Sequence, residues 1–396
     1  MKIIFVADGR SDHIRRWIAH FINSSKHDVI LVSTYPCAPI GGVKLHILEG
    51  LFRLSKSSST KGGPKKQSKK ANPSLLPTLA RFSPLYALWN NLKLIDAYFQ
   101  AKILNQIIRH YSPDLLHAFR IQNEGYLTIN SDSKKTIISS WGQDFIQFAD
   151  KYLIQRILTQ KLMRQTRYFF ADCQRDIDLA KNNGLPSHAK TRVYPGNGGV
   201  DMRIFHANLS TPRQYDVLYC RGLTNYTRIE VLFKALRYFY EHKGYWLKML
   251  IIVPAVFNSY LKKLIKKYDV FEETVTFEDT AEKEKLAQYM RSAKLFVSPT
   301  ISDGIPNSML EAMSCGMLPI VGDVDSIREV ISHGMNGLIF KTESALELCE
   351  ALSKGLELDF EKIAAINHEI IKTKYEYEAC MVDVEKFYES ILETHE

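Results

Sequence analysis

Residues Ser298–Gly316 read SPTISDGIPNSMLEAMSCG, and the organisation of the chain follows from them. The apolar run Leu295, Phe296 and Val297 leads in with strand character. Asp303, Gly304, Ile305 and Pro306 make a turn, and the spacing predicts a short helix from Asn307 that stops at Gly316. Proline near a helix start and glycine just past its end is the expected asymmetry. The first-turn amides of such a helix have no intrahelical partner, and the dipole adds partial positive charge. Strand, turn and helix start therefore make an anion site. Asp303 stands before the turn and Glu311 one turn into the helix. An anion-binding helix start beside acceptors suited to sugar hydroxyls points to a nucleotide-sugar pocket.

The rest of the chain agrees. At 396 residues it exceeds one ordinary core, so two domains are expected. Apolar content of 45% and charged content of 24% are those of a globular protein in water. Six scattered cysteines without a CxxC pair argue against a disulfide framework or a zinc site and for a reducing compartment. The start MKIIFVAD reads as a strand followed by polar residues, so no signal peptide is expected, and without a run of about 20 apolar residues no membrane-spanning helix is expected either. Residues 1–200 hold 29 basic against 13 acidic side chains, and the remainder 23 against 30. A first half this basic faces something anionic.

Strand and helix patterns alternate through both halves, which implies parallel sheets covered on both faces. Strands are predicted at Lys2–Ala7, Val29–Val32, Leu115–His117, Thr136–Ser139, Tyr168–Ala171 and Arg192–Tyr194. The second half offers Asp216–Cys220, Leu247–Val253, Thr274–Phe277, Leu295–Ser298, Leu318–Val321 and Gly337–Phe340. The linker falls in Pro195–Pro212, rich in Gly, Asn and Pro. The expected division is an N-terminal Rossmann-like domain over 1–205, a second over 206–374, and a last helix over 375–396 that packs back on the first. Ligands should bind between them, at the carboxyl ends of the strands. Ser55–Ser74 carries six lysines and no acid, and reads as a mobile loop. With Leu75–Trp89 behind it, the stretch has the composition of a contact with anionic membrane. Nucleic-acid binding is disfavoured, because no aromatic platforms are interleaved with the charges.

DGIPNSMLEAMSCGMLPIVGDVDSIREVISHGMNGLIF resembles the donor-binding signature of retaining nucleotide-sugar glycosyltransferases of family 4, which have the GT-B fold. VYPGNGGVDMRIF, LYCRGL and MKIIFVADGRSDHIRRW match further, and SSWGQDF is similar to a stretch of members that build surface polysaccharides such as lipopolysaccharide. The resemblance implies an acidic pair spaced E-x7-E, here Asp303 and Glu311, with Asp303 on the donor sugar and Glu311 on the nucleotide ribose. Gly304, Ile305, Pro306, Asn307 and Ser308 would cradle the donor. Arg221 and, less cleanly aligned, Arg228 would face its diphosphate. His117 corresponds to a family histidine near the sugar, while Phe119 stands where many members have a second one. Gly9 would face the phosphates, Glu329 would line the nucleotide pocket, and Asp144 and Arg120 would meet the acceptor. Asp325 and Ser326 stand where many members have two glycines.

The expected partners are a nucleotide-sugar donor, most simply a UDP-sugar, and a glycan or lipid-linked acceptor, with no metal and no cofactor. The expected place is cytoplasmic, at the inner membrane face. Asp323-Val-Asp325 resembles a metal-binding DxD but lies in the nucleotide region. An epimerase or phosphorylase of the same fold, or a non-catalytic partner protein, remain the alternatives at this point.

Overall fold

The computed structural model describes residues 1–24, 26–48, 84–149, 152–208 and 210–393, with the backbone alone for 84–96. The lysine-rich stretch 55–74 and residues 75–83 lie outside the described residues.

The first sheet has seven strands: β1 (Lys2–Ala7), β2 (Asp28–Ser33), β3 (Lys44–Ile47), β4 (Leu115–Phe119), β5 (Thr136–Ser139), β6 (Tyr168–Ala171) and β7 (Lys190–Val193). They lie in the order β3-β2-β1-β4-β5-β6-β7. The second sheet has six: β8 (Tyr215–Tyr219), β9 (Met249–Ile252), β10 (Val275–Glu278), β11 (Ala293–Ser298), β12 (Leu318–Gly322) and β13 (Leu338–Phe340), ordered β10-β9-β8-β11-β12-β13. Every pairing in both is parallel. Each sheet thus reverses direction between its first and fourth strands, the point where open α/β sheets bind ligands. Both Rossmann-like units expected from the sequence are present, with strands within two residues of the expected bounds.

Burial explains the pattern. Ile3, Ile4, Phe5, Val6 and Ala7 are fully buried because helices cover both faces of β1. One face of the first sheet receives Ile14, Trp17, Ile18 and Phe21 from the helix Asp12–Asn23. The same face receives Met381, Val384, Phe387, Tyr388 and Ile391 from the last helix, Tyr377–Glu393. The end of the chain therefore completes the core of its beginning. β3 was not expected from the sequence, since Lys44-Leu-His-Ile is a short edge strand with no continuous apolar run. Among the described residues no helix is long and apolar enough to cross a membrane.

Candidate active site

The two sheets point their carboxyl ends at each other across a cavity of about 460 Å³, within the range of roughly 300–1,000 Å³ usual for small-molecule sites. Its walls come from the segments that follow successive strands. His13 follows β1, Arg120 follows β4, Trp141, Gly142 and Gln143 follow β5, and Asp172 follows β6. Opposite stand Cys220, Arg221 and Tyr226 after β8. Asp303, Ile305, Pro306, Asn307, Ser308 and Glu311 complete that wall after β11.

The helix Asn307–Ser314 aims its free first-turn amides into this space. The buried Asn307 Oδ1 atom has no hydrogen-bond partner among the described residues. Arg221 donates to Ser308 Oγ at 2.9 Å and forms an ion pair with Asp303, so a cation lies at the helix mouth. Burial raises the Asp303 carboxyl above its ordinary value, against the pull of Arg221. Glu311 is 8% exposed and takes no hydrogen bond or ion pair from the described residues. Burial pushes its carboxyl up to about 7, with Arg16 and Lys283 acting in the opposite direction. A buried carboxylate that lines a cavity without a partner is poised to accept from a ligand hydroxyl.

Gly142 and Gly304 bring the domains into contact. A Cβ on Gly142 would collide with the Gly304 main-chain nitrogen, and one on Gly304 with the Asp172 carboxyl. Gly304 therefore forms the seam beneath the site, outside the cavity wall. Asp172 accepts from Gly142 N at 3.0 Å, and burial with Asp176 and Asp303 nearby lifts its carboxyl well above the carboxylate range. Gln143 donates to Ser302 O at 2.5 Å across the same seam.

Several expected residues take other roles. His117 is fully buried, with Nδ1 on the Tyr388 hydroxyl at 2.5 Å and Nε2 on Ser139 Oγ at 2.6 Å. Phe119 stacks on its ring, and burial drives its pKa well down. It is a neutral core residue away from the cavity. Gly9 packs on Cys37 and Ser33, and its amide donates to Ser33 Oγ at 3.0 Å, so the turn after β1 closes on β2. Arg228 begins its helix at φ 47° and pairs with Glu343 at 2.8 Å, outside the cavity. Glu329 accepts from Gln174 N at 2.7 Å and Arg175 N at 3.0 Å, capping a helix of the other domain and leaving the nucleotide pocket. Asp144 is fully buried and holds Arg120 at 2.6 Å, so Arg120 alone reaches the cavity. Asp323 pairs with Arg328 at 2.6 Å.

Arg120 stands at φ 87°, ψ 149°, a conformation costing about 1–3 kcal/mol in a residue with a side chain. Strain of this kind collects at functional sites. The sequence reading also passed over His13, Trp141, Gln143, Asp172 and Tyr226. Trp141, Gln143 and Asp172 lie just past the carboxyl ends of β5 and β6, a position that could have singled them out, and His13 lies in the first turn of the helix that follows β1.

Comparison with known proteins places this geometry. Over 72 residues the chain is 36% identical to a Campylobacter jejuni N,N'-diacetylbacillosaminyl-diphospho-undecaprenol alpha-1,3-N-acetylgalactosaminyltransferase, covering 18% of this chain and 19% of that one. Over 245 residues it is 25% identical to a Xanthomonas oryzae GDP-mannose:cellobiosyl-diphosphopolyprenol alpha-mannosyltransferase, covering 59% and 62%. The chain thus matches less than two thirds of either relative. Its fold is that of sucrose-phosphate synthase from Thermosynechococcus elongatus, at TM-score 0.72 and 14% identity over 99% of both chains. Anabaena HepE in complex with UDP follows at 0.71 and 14%, over 98% and 100%. The Glycosyl transferases group 1 family matches residues 201–374, and the Glycosyl transferase 4-like family residues 81–173. With its two facing Rossmann-like domains and these two matches over about two thirds of its length, the chain belongs to the family 4-type glycosyltransferases of GT-B fold.

Proposed function

We propose that the protein is a retaining, metal-independent glycosyltransferase. It moves a sugar from a UDP-sugar to a hydroxyl of a lipid-linked glycan in surface-polysaccharide synthesis. The observation that carries this reading is the convergence of Arg221, the Asn307 helix start, Asp303 and Glu311 on one interdomain cavity. Glu311 accepts from the ribose, the helix start and Arg221 hold the diphosphate, and Asp303 meets the sugar. As the sugar–phosphate bond breaks, charge grows on the diphosphate, where preorganised donors lower the barrier. The departing phosphate takes the acceptor proton on the face it leaves, so the anomeric configuration is kept. Arg221 and the helix dipole supply the positive charge that a metal would otherwise bring.

A lipid-linked acceptor is supported by the two curated relatives, whose names place their substrates on diphosphopolyprenols. The basic stretch 55–74 and the exposed Leu153, Ile154 and Ile157 suit a peripheral contact with anionic lipid at the cytoplasmic face.

A thermal-shift screen over UDP, GDP, ADP and their sugars tests the donor assignment, with UDP and one UDP-sugar expected to stabilise. Product NMR should show the donor's anomeric configuration, and turnover should persist in EDTA. Inversion, or activity lost to chelation, would refute those two parts. Hydrolysis or epimerisation without transfer would instead favour the epimerase or phosphorylase reading.

A further inference from the structure

Arg175 belongs to the first domain, as the second residue of the helix Gln174–Asn182 that follows β6. Its guanidinium crosses the seam. Nη1 donates to the Asp303 carbonyl at 2.5 Å and reaches Ser326 Oγ at 3.4 Å, while Nη2 donates to the Gly142 carbonyl at 2.9 Å. Nε and Nη2 also pair with Asp176 Oδ1 at 3.0 and 2.7 Å. Asp176 is fully buried and accepts from Ser140 Oγ at 3.2 Å. A buried carboxylate on Arg175's own helix thus fixes the fork, and the fork points at the main chain of the opposite domain.

The second domain answers in kind. Ser326 Oγ donates to the Asp303 carbonyl at 2.7 Å and to the Gly304 carbonyl at 3.1 Å. The Glu329 carboxylate accepts from the amides of Gln174 and Arg175, the free donors that open the Arg175 helix. Residues 299–306 belong to no helix or strand, so these side chains take the place of a ladder in holding the loop.

We infer that Arg175 is a positioning residue for the donor sugar: beside the Gln143–Ser302 contact on the same loop, it is the first domain's charged hold on the Asp303 carbonyl, and it sets Asp303 only when the two domains are closed. The inference rests on the donor-binding reading above. Arg221 draws the Asp303 side chain from one side and Arg175 holds its carbonyl from the other. Loss of Arg175 leaves the Asp303 carbonyl to the neutral Ser326 hydroxyl alone, a weaker hold against the charged pull of Arg221, so the loop shifts toward Arg221 and away from the sugar. Lysine does not substitute, because a single ammonium cannot bridge Asp303, Gly142 and Asp176 in the geometry of a planar fork. Glu311 and the Asn307 helix start stand beyond this contact, so nucleotide recognition is separable from sugar recognition.

Arg175→Lys and Arg175→Ala in the full chain test the idea. Lysine keeps a cation beside Asp176, so that variant guards against loss of folding. Calorimetry with UDP is set beside steady-state turnover of the UDP-sugar that stabilises the wild type most. In both variants the UDP affinity should stay within about twofold of wild type, while kcat/KM for the UDP-sugar falls about 10- to 100-fold, the value of a charged hydrogen bond. Wild-type kcat/KM in Arg175→Lys would overturn the inference. So would an equal loss of UDP affinity and turnover together with a lowered Tm, which would make Arg175 a folding residue only. Failure of the wild type to bind UDP or any UDP-sugar would sink the donor reading itself, and the Arg175 role with it.

Discussion

Arg221 lies between the Asp303 carboxylate and the Ser308 hydroxyl, where charge would develop on a leaving diphosphate. Arg221→Ala should cost about 2.7–4 kcal/mol in transition-state stabilisation, by analogy with loss of one oxyanion donor, read from kcat/KM. His117 makes the contrast. His117→Phe should leave kcat/KM within about twofold while destabilising the fold by about 1–3 kcal/mol, measured in urea, because Tyr388 and Ser139 lose a buried partner. The pair Asp303 and Glu311 was legible because one strand-turn-helix unit places both. The burial of His117 was not, since it depends on Tyr388, 271 positions away. Arg228 misled for a similar reason: its partner Glu343 lies on a loop after β13, which spacing along the chain does not reveal.

Strands buried on both faces write themselves as apolar runs, and for that reason β1, β2, β4, β6, β9, β11 and β12 were legible, while the half-exposed edge strands β7 and β10 showed only through the alternation with helices. β3 escaped because an edge strand buries little and its four residues alternate. Contacts between loops are a different matter. The backbones of Gly142 and Gly304 touch across the seam, and the sequence shows only two ordinary glycines. A methyl group on Gly304 must push the donor loop off Asp172. Gly304→Ala should lower turnover about 10²-fold, since displacements near 1 Å carry such costs. UDP affinity, which depends on Glu311, should hold in calorimetry; a parallel loss of both would place the seam in nucleotide binding as well.

Burial raises five carboxyls among the described residues, those of Glu124, Asp172, Asp176, Asp303 and Glu311. Glu124 is 2% exposed and, like Glu311, is pushed up from 4.5 to about 7. Between those values the folded chain keeps protons that the unfolded chain has released, so stability falls as pH rises from about 4.5 to 7. Each group contributes about 3 kcal/mol at most. The Tm should drop across that window, and Glu124→Gln should flatten the drop; an unchanged slope would assign the effect to other groups. Two Rossmann-like units and the cleft between them were legible from the alternation of strands and helices. Closure was not, because it is made by single side chains meeting across the seam.

The last helix sets the order in which the protein can be made. Phe387, Tyr388 and Ile391 fill the core against Phe5, Trp17 and Phe21. A ribosome delivers the second domain before those residues emerge. The first domain thus waits through synthesis of the second with one face of its sheet only partly covered, by the helix Asp12–Asn23 alone. In a cell the nascent chain offers that half-covered face to chaperones until the helix Tyr377–Glu393 emerges, and any ribosomal stall short of Tyr377 releases a polypeptide that quality control can recognise by it.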